Sequence, residues 1–189
     1  IKYIVRSLER IGASAIIIED KIGLKKNSLF KNQKETKQDT IKNFSNKIKA
    51  AKKSTISDDF LIIARIESFI LNKNLNDALK RAEAYSKAGA DAILIHSKEN
   101  SPAQVFSFAK KFTKSKYFKP MVAVPSSYSK TYEKDLIKHG FKIIIYANHM
   151  MRSSYPPMIT VAKSILKNKR SFDVEKKISS IKEIINLIK

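Results

Sequence analysis

Ala88-Gly-Ala-Asp-Ala-Ile-Leu-Ile-His-Ser97 is the stretch that decides how this chain folds. A helical pattern from Asn76 to Ala88, rich in alanine and leucine, stops at Gly89, and the apolar run Ala92-Ile-Leu-Ile95 then ends on His96. A run this short, without polar alternation, reads as a strand buried on both faces, as in parallel sheets covered by helices. Four more runs share the design. Ser14-Ala-Ile-Ile-Ile-Glu-Asp20 ends in two acids, and Phe60-Leu-Ile-Ile-Ala-Arg-Ile-Glu67 ends in Arg65 and Glu67. Met121-Val-Ala-Val-Pro125 ends in a proline, and Ile143-Ile-Ile-Tyr-Ala-Asn148 in an asparagine. Side chains gathered at the carboxyl ends of parallel strands are where α/β folds build their sites, so the layout predicts part of an enzyme.

Helical patterns fill the gaps. Ile1 to Ile11 closes at Gly12, and Asp39 to Ala51 places Ile41, Phe44, Ile48 and Ala51 on one face. Ser101 to Phe112 opens on Ser-Pro, and Tyr132 to His139 ends at Gly140. His149 to Lys167 is interrupted or restarted by Pro156-Pro157, and Asp173 to Ile188 begins on an Asp cap. Strand and helix alternating at this spacing predict βα units on a parallel sheet. Five units are visible, and the chain opens without methionine inside a helix. The expected fold is therefore an incomplete (β/α)₈ barrel, residues 1–189 forming one partial domain that lacks the three N-terminal units. A long polar loop occupies 20–39, and C-terminal helices occupy 149–189. The alternative is an open, doubly wound five-stranded sheet. It lacks the usual glycine-rich turn, since Asp20-Lys-Ile-Gly-Leu-Lys-Lys-Asn27 holds one glycine.

Composition excludes several classes. The 189 residues are 43% hydrophobic without a run long enough for a bilayer span, and no basic head followed by an apolar block opens the chain. The absence of cysteine excludes disulfides, thiolate metal sites and a cysteine nucleophile. A soluble cytoplasmic protein with no membrane partner is expected. The net charge of +21 invites a nucleic-acid partner, but only six of the 38 basic residues are arginine, and the lysines are spread over nearly every helix and loop. A lysine-rich solvated surface is the preferred reading over nucleic-acid binding, and a basic polyanion-binding domain is kept as a non-catalytic alternative.

Polar residues at the strand ends carry the candidate chemistry. Glu19 sits where a carboxylate reaches a divalent cation, directly or through water. The loop after it is either a lid, with Lys25 and Asn27 carrying a cation and an amide onto an anionic substrate, or a solvated linker. Arg65, inside an apolar strand, needs a partner, and its planar fork suits a phosphate, a carboxylate or Glu67. His96 is either a satisfied core residue or a neutral donor to an oxyanion. Asn148, His149 and Arg152 follow the last strand, where Asn148 is expected to cap the helix. Met150-Met151 reads as packing.

Glu19-Asp-Lys-x-x-x-Lys25-x-Asn27-Ser28-Leu29 resembles the E-D-K-x-x-x-K-x-N-S gating loop of the phosphoenolpyruvate mutase group of the isocitrate lyase superfamily. Ile63-Ala-Arg-Ile-Glu67, Asp77-Ala-Leu-Lys-Arg-Ala-Glu-Ala-Tyr85, Ala88 to Ser97, Val124-Pro125, Ala147-Asn-His-x-x-Arg152 and Ile181-Lys-Glu-Ile-Ile185 extend the resemblance over essentially the whole chain. It implies a Mg²⁺-dependent barrel interconverting phosphoenolpyruvate and phosphonopyruvate. Glu19 would join the Mg²⁺ shell through water, while Lys25, Asn27 and the substrate-binding Ser28 would come from the lid. Arg65 and His96 would hold the transferring phosphoryl group. Asn27-Ser28 favours the mutase over phosphonopyruvate hydrolase, whose loop resembles a T-S version, and the lyase branches carry a cysteine-containing motif. Leu24 replaces a proline of the family loop. The aspartates that bind Mg²⁺ in the family lie on its first three strands, so this chain is expected to be inactive alone. The family exchanges its eighth helix between subunits, which places 149–167 at a homo-oligomer interface.

Overall fold

The computed structural model describes residues 1–23 and 37–188, which fall into two compact units, Ile1–Tyr146 and Ala147–Lys189. The first unit opens with helix α1 (Lys2–Arg10), strand β1 (Ala15–Glu19) and two short strands, β2 (Lys21–Ile22) and β3 (Lys37–Gln38). It continues with α2 (Ile41–Lys52), β4 (Leu61–Ile66), α3 (Leu75–Lys87), β5 (Ala92–Ile95), α4 (Ala103–Phe112), β6 (Met121–Ala123), α5 (Glu133–Lys138) and β7 (Phe141–Ile144). β2 and β3 pair antiparallel. The other five strands form one parallel sheet in the order β1-β4-β5-β6-β7. Each strand is laid beside the one before it, and the order never reverses. A doubly wound sheet needs a reversal at its switch point, so that alternative does not describe this sheet.

Alternation along the strands separates two faces. Ile62, Ala64, Ile66, Ile93, Ile95, Met121 and Ala123 join the core cluster with Phe44, Ile48, Ala82, Tyr85, Phe108 and Phe112 from α2, α3 and α4. The intervening residues Ile63, Leu94 and Val122 are buried outside that cluster, on the opposite face. Glu19, Arg65 and His96 have the same parity as this second set. The site is thus built on the face turned away from the helices. The two edge strands are less covered, with Ile17 of β1 40% exposed and Ile143 of β7 36% exposed. Between β6 and β7 the register shifts, since Met121 lies opposite Phe141 but Val122 lies opposite Ile143. Lys142 is the extra residue, so Phe141 and Ile144 both pack toward the helices.

The helices start where their caps allow. The Thr40 hydroxyl accepts from the Asn43 amide, and the Asn74 side chain accepts from the Asp77 amide. The last strand starts at Phe141 rather than Ile143 as expected, because Gly140 at φ +91° turns the chain out of α5 directly into the sheet.

The second unit differs from expectation in three places. Helix α6 (His149–Asn168) runs unbroken through Pro156 and Pro157. No residue of this helix is buried, so water can satisfy the carbonyls the prolines leave free. Asn148 occupies the N-cap position but makes no side-chain cap, because its left-handed backbone (φ 67°) turns the amide off the first-turn N–H groups. Asp173 does not open a continuous helix. Its carboxylate takes Arg170 at 2.9 and 3.2 Å, a 3₁₀ turn covers Glu175–Lys177, and α7 (Ile181–Asn186) starts on a capping box between Ser180 and Glu183. Among the described residues no helix is long and apolar enough to cross a membrane.

Candidate active site

Parallel pairing of β1 with β4 sets Glu19 beside Arg65 at the carboxyl end of the sheet. Arg65 Nε donates to Glu67 Oε1 at 2.6 Å and lies 3.7 Å from Glu19 Oε2. Glu67 is fully buried, and its second oxygen holds the Lys21 ammonium at 3.3 Å. One carboxylate therefore clamps two cations brought by different strands, β2 and β4. Buried charges are tolerated only when paired in this way, which explains how an arginine and a lysine end an otherwise apolar layer.

His96 follows β5 and is 5% exposed. Its Nδ1 is buried with no hydrogen-bond partner among the described residues. Burial, and then the positive charges of Arg65 and Lys21 against the opposing Glu67, pulls its pKa down to about 4. The imidazole is neutral at physiological pH. It can donate one N–H to an anion without adding a charge of its own.

Beside this group lies a second polar cluster, centred on the buried Asp20, Arg81 and Tyr85. Asp20 Oδ1 accepts from the Glu67 amide at 2.9 Å, and its Oδ2 accepts from Tyr85 Oη and Gln38 Nε2 at 2.8 Å and from Arg81 at 3.2 Å. Accepting from four donors requires the carboxylate form, although burial pushes the Asp20 carboxyl upward. Arg81 also donates to Tyr85 Oη and to the Asp39 carbonyl at 2.8 Å, and its Nε reaches Asp77 at 2.9 Å. Ser68 joins Gln38 to Asp77. The Asp20–Asp39 end of the β2–β3 pair is tied down, since the Asp20 amide donates to the Arg65 carbonyl and the Asp39 amide to the Asp20 carbonyl.

Of the residues expected from sequence, the structure brings Glu19 and Arg65 together, with His96 directly after the neighbouring strand β5. Lys25, Asn27 and Ser28 lie outside the described residues. The expected Arg65–Glu67 pair is present, and Lys21 is added to it. Asp20, Gln38, Arg81 and Tyr85 received no role in the sequence reading. The available signal was a polar set at helical spacing, Asp77, Arg81 and Tyr85, on a helix that otherwise buries alanines.

Hard divalent cations need several oxygen ligands. Among the described residues no three His, Cys, Asp or Glu side chains converge, so these residues do not make a cation site by themselves. Glu19 offers one carboxylate arm.

The fold and site define an α/β protein with an acid–base cluster at the carboxyl ends of adjacent parallel strands. A family model described as phosphoenolpyruvate phosphomutase matches residues 1–166. The chain is 37% identical over 186 residues to the phosphoenolpyruvate phosphomutase of Tetrahymena pyriformis, covering 98% of this chain and 61% of that one. The solved phosphoenolpyruvate phosphomutase of Streptomyces platensis subsp. rosaceus superposes with a TM-score of 0.89 at 35% identity, covering 98% of this chain and 63% of that one. A phosphonopyruvate hydrolase solved in complex with oxalate and Mg²⁺ gives 0.85 at 35% identity, covering 98% and 62%. The chain belongs to the phosphoenolpyruvate phosphomutase family. It spans about three fifths of the length of these relatives.

Proposed function

We propose that this chain carries part of the active site of a phosphoenolpyruvate mutase, an isomerase that interconverts phosphoenolpyruvate and 3-phosphonopyruvate in phosphonate biosynthesis. The observation that carries the reading is the arrangement of Glu19, Arg65 and His96 on one face, at the ends of adjacent strands. In the reaction the bond from phosphorus to the enol oxygen breaks and a phosphorus–carbon bond forms at C3. Atoms and charge balance without an added reactant. The migrating group is anionic, so catalysis rests on positioned positive charge and neutral donors. Arg65 binds its oxygens, held in place by Glu67. Neutral His96 donates a hydrogen bond, and Lys25, Asn27 and Ser28 act from the 20–39 gating loop, which excludes water.

The five parallel strands in unreversed order support a (β/α)₈ barrel that is partial here, because one winding direction puts every connecting helix on one side. The half-covered edges at Ile17 and Ile143 fit further strands beside β1 and β7. Mg²⁺ is the proposed cofactor, supported by the metal in the related hydrolase structure. When bound it would supply positive charge against the migrating group, and Glu19 would offer a carboxylate to its hydration shell. Helix α6, which buries no residue and leaves Met150, Met151, Tyr155 and Met158 in the open, supports a homo-oligomer assembled through this helix. A cytoplasmic location is consistent with small anionic substrates.

Phosphonopyruvate hydrolase is the second reading, favoured by a structural match close to that of the mutase. Phosphorus NMR on the full-length protein with phosphonopyruvate and Mg²⁺ separates the two. Conversion to phosphoenolpyruvate, abolished by Arg65→Ala, supports the mutase, and release of inorganic phosphate supports the hydrolase. An unchanged phosphonopyruvate signal from folded protein removes both readings.

A further inference from the structure

The buried cluster around Asp20 is costly and borders the apolar core, to which Tyr85 belongs. An ionic group of this kind contributes less to stability than well-packed apolar residues of the same volume. Its placement points to another role. Asp20 is the residue after Glu19, and its carboxylate grips the amide of Glu67, the residue that clamps Arg65 and Lys21. Three separate parts of the chain converge on that carboxylate: β3 through Gln38, α3 through Arg81 and Tyr85, and the segment after β4 through the Glu67 amide. The backbone bond from Asp20 to the Arg65 carbonyl at 3.1 Å closes the frame.

We propose that Asp20, Arg81 and Tyr85 are positioning residues, which fix the Arg65 guanidinium through the Glu67 amide and carboxylate. None of the three contacts Arg65 by its own side chain among the described hydrogen bonds and ion pairs. Helix α3, on the outer face of the sheet, thereby sets the geometry of a charged group on the inner face. A hydrogen bond at 2.6 Å between Arg65 Nε and Glu67 has little tolerance for a displaced partner, so small shifts of the Glu67 backbone reach Arg65 directly. The catalytic consequence rests on the mutase reading, whereas the geometric relation does not.

The test is ¹H–¹⁵N NMR of arginine side chains in the full-length protein, with the Arg65 Nε–H signal assigned by its loss in Arg65→Lys. In Asp20→Asn and in Tyr85→Phe, the signal is expected to shift and its solvent exchange to quicken on the order of tenfold, as outer-shell substitutions of this kind do to the groups they orient. Lys52→Ala, which removes the surface pair of Lys52 with Asp91 at 2.8 Å, leaves the signal in place and controls for general loosening. If Asp20→Asn does not fold, Tyr85→Phe, which removes one hydroxyl, decides alone. An unmoved Arg65 signal in folded Tyr85→Phe overturns the proposal. In the mutase assay the same variants are expected to lower kcat while KM changes little. Should the wild type show no turnover, the mutase reading falls, and the NMR result still decides the positioning role.

Discussion

Glu67 accepts from Arg65 with one oxygen at 2.6 Å and holds Lys21 with the other at 3.3 Å, while none of its own surface reaches solvent. The pair Arg65–Glu67 is separated by one residue in sequence. It fixes a guanidinium in place at the end of an apolar strand.

Glu67→Gln keeps the shape and removes the charge that balances two cations. Lys21, 3% exposed at its side chain, then loses the charge of Glu67. The expected loss is about 3 kcal/mol, measured by chemical denaturation. An unchanged midpoint would show that solvent reaches this site.

His96 makes folding sensitive to acid. Its folded pKa of about 4 lies below the ordinary 6.5, so the unfolded chain binds the proton more readily. The stability it contributes is complete above about pH 6.5 and is lost as pH falls toward 4, by about 3 kcal/mol in all. Denaturation curves of wild type and His96→Gln should therefore converge or cross between these limits. Parallel curves would contradict the assignment.

Gly140→Ala tests the turn into β7. The position has φ +91°, and a methyl group there meets Thr113 Cγ2 at 3.1 Å and Met121 Cε at 3.2 Å. Met121 is flexible, so the backbone conformation dominates, and a loss of about 1–2 kcal/mol is expected in thermal unfolding.

Asn27→Thr addresses reaction choice. If the loop steers the migrating group back to carbon or oxygen, this change increases inorganic phosphate at the expense of phosphoenolpyruvate in the phosphorus NMR assay. Lys25→Ala should lower both products together. A product ratio unaffected by Asn27→Thr would place the choice elsewhere.

Strand content was readable because apolar runs such as Ile62-Ile-Ala64 and Ile93-Leu-Ile95 have no other use in so charged a chain. The β-helix alternation and the glycines at 12, 89 and 140 placed most boundaries within two or three residues. The Glu19–Arg65 neighbourhood was partly readable, since both residues end strands. The Asp20 cluster was not, because its bonds join positions as far apart as Asp20 and Tyr85, and no local pattern reports such a partnership. The C-terminal helix was misjudged for a related reason. Pro156 and Pro157 disrupt an isolated helix, yet an exposed helix can leave the freed carbonyls to water.

The extra residue at Lys142 stands outside the ladder, so the frame of the last strand passes from Phe141 directly to Ile143. Past it, Ile143 shares the inner face with Val122, and Ile144 the outer face with Ala123. Removing Lys142 would close the bulge and leave Ile143 opposite Val122 and Ile144 opposite Ala123, whereas losing Ile143 would reverse the phase of the side chains beyond it. The side chains at the strand's mouth thus survive the loss of this lysine, while a change of length past it would turn them to the opposite face.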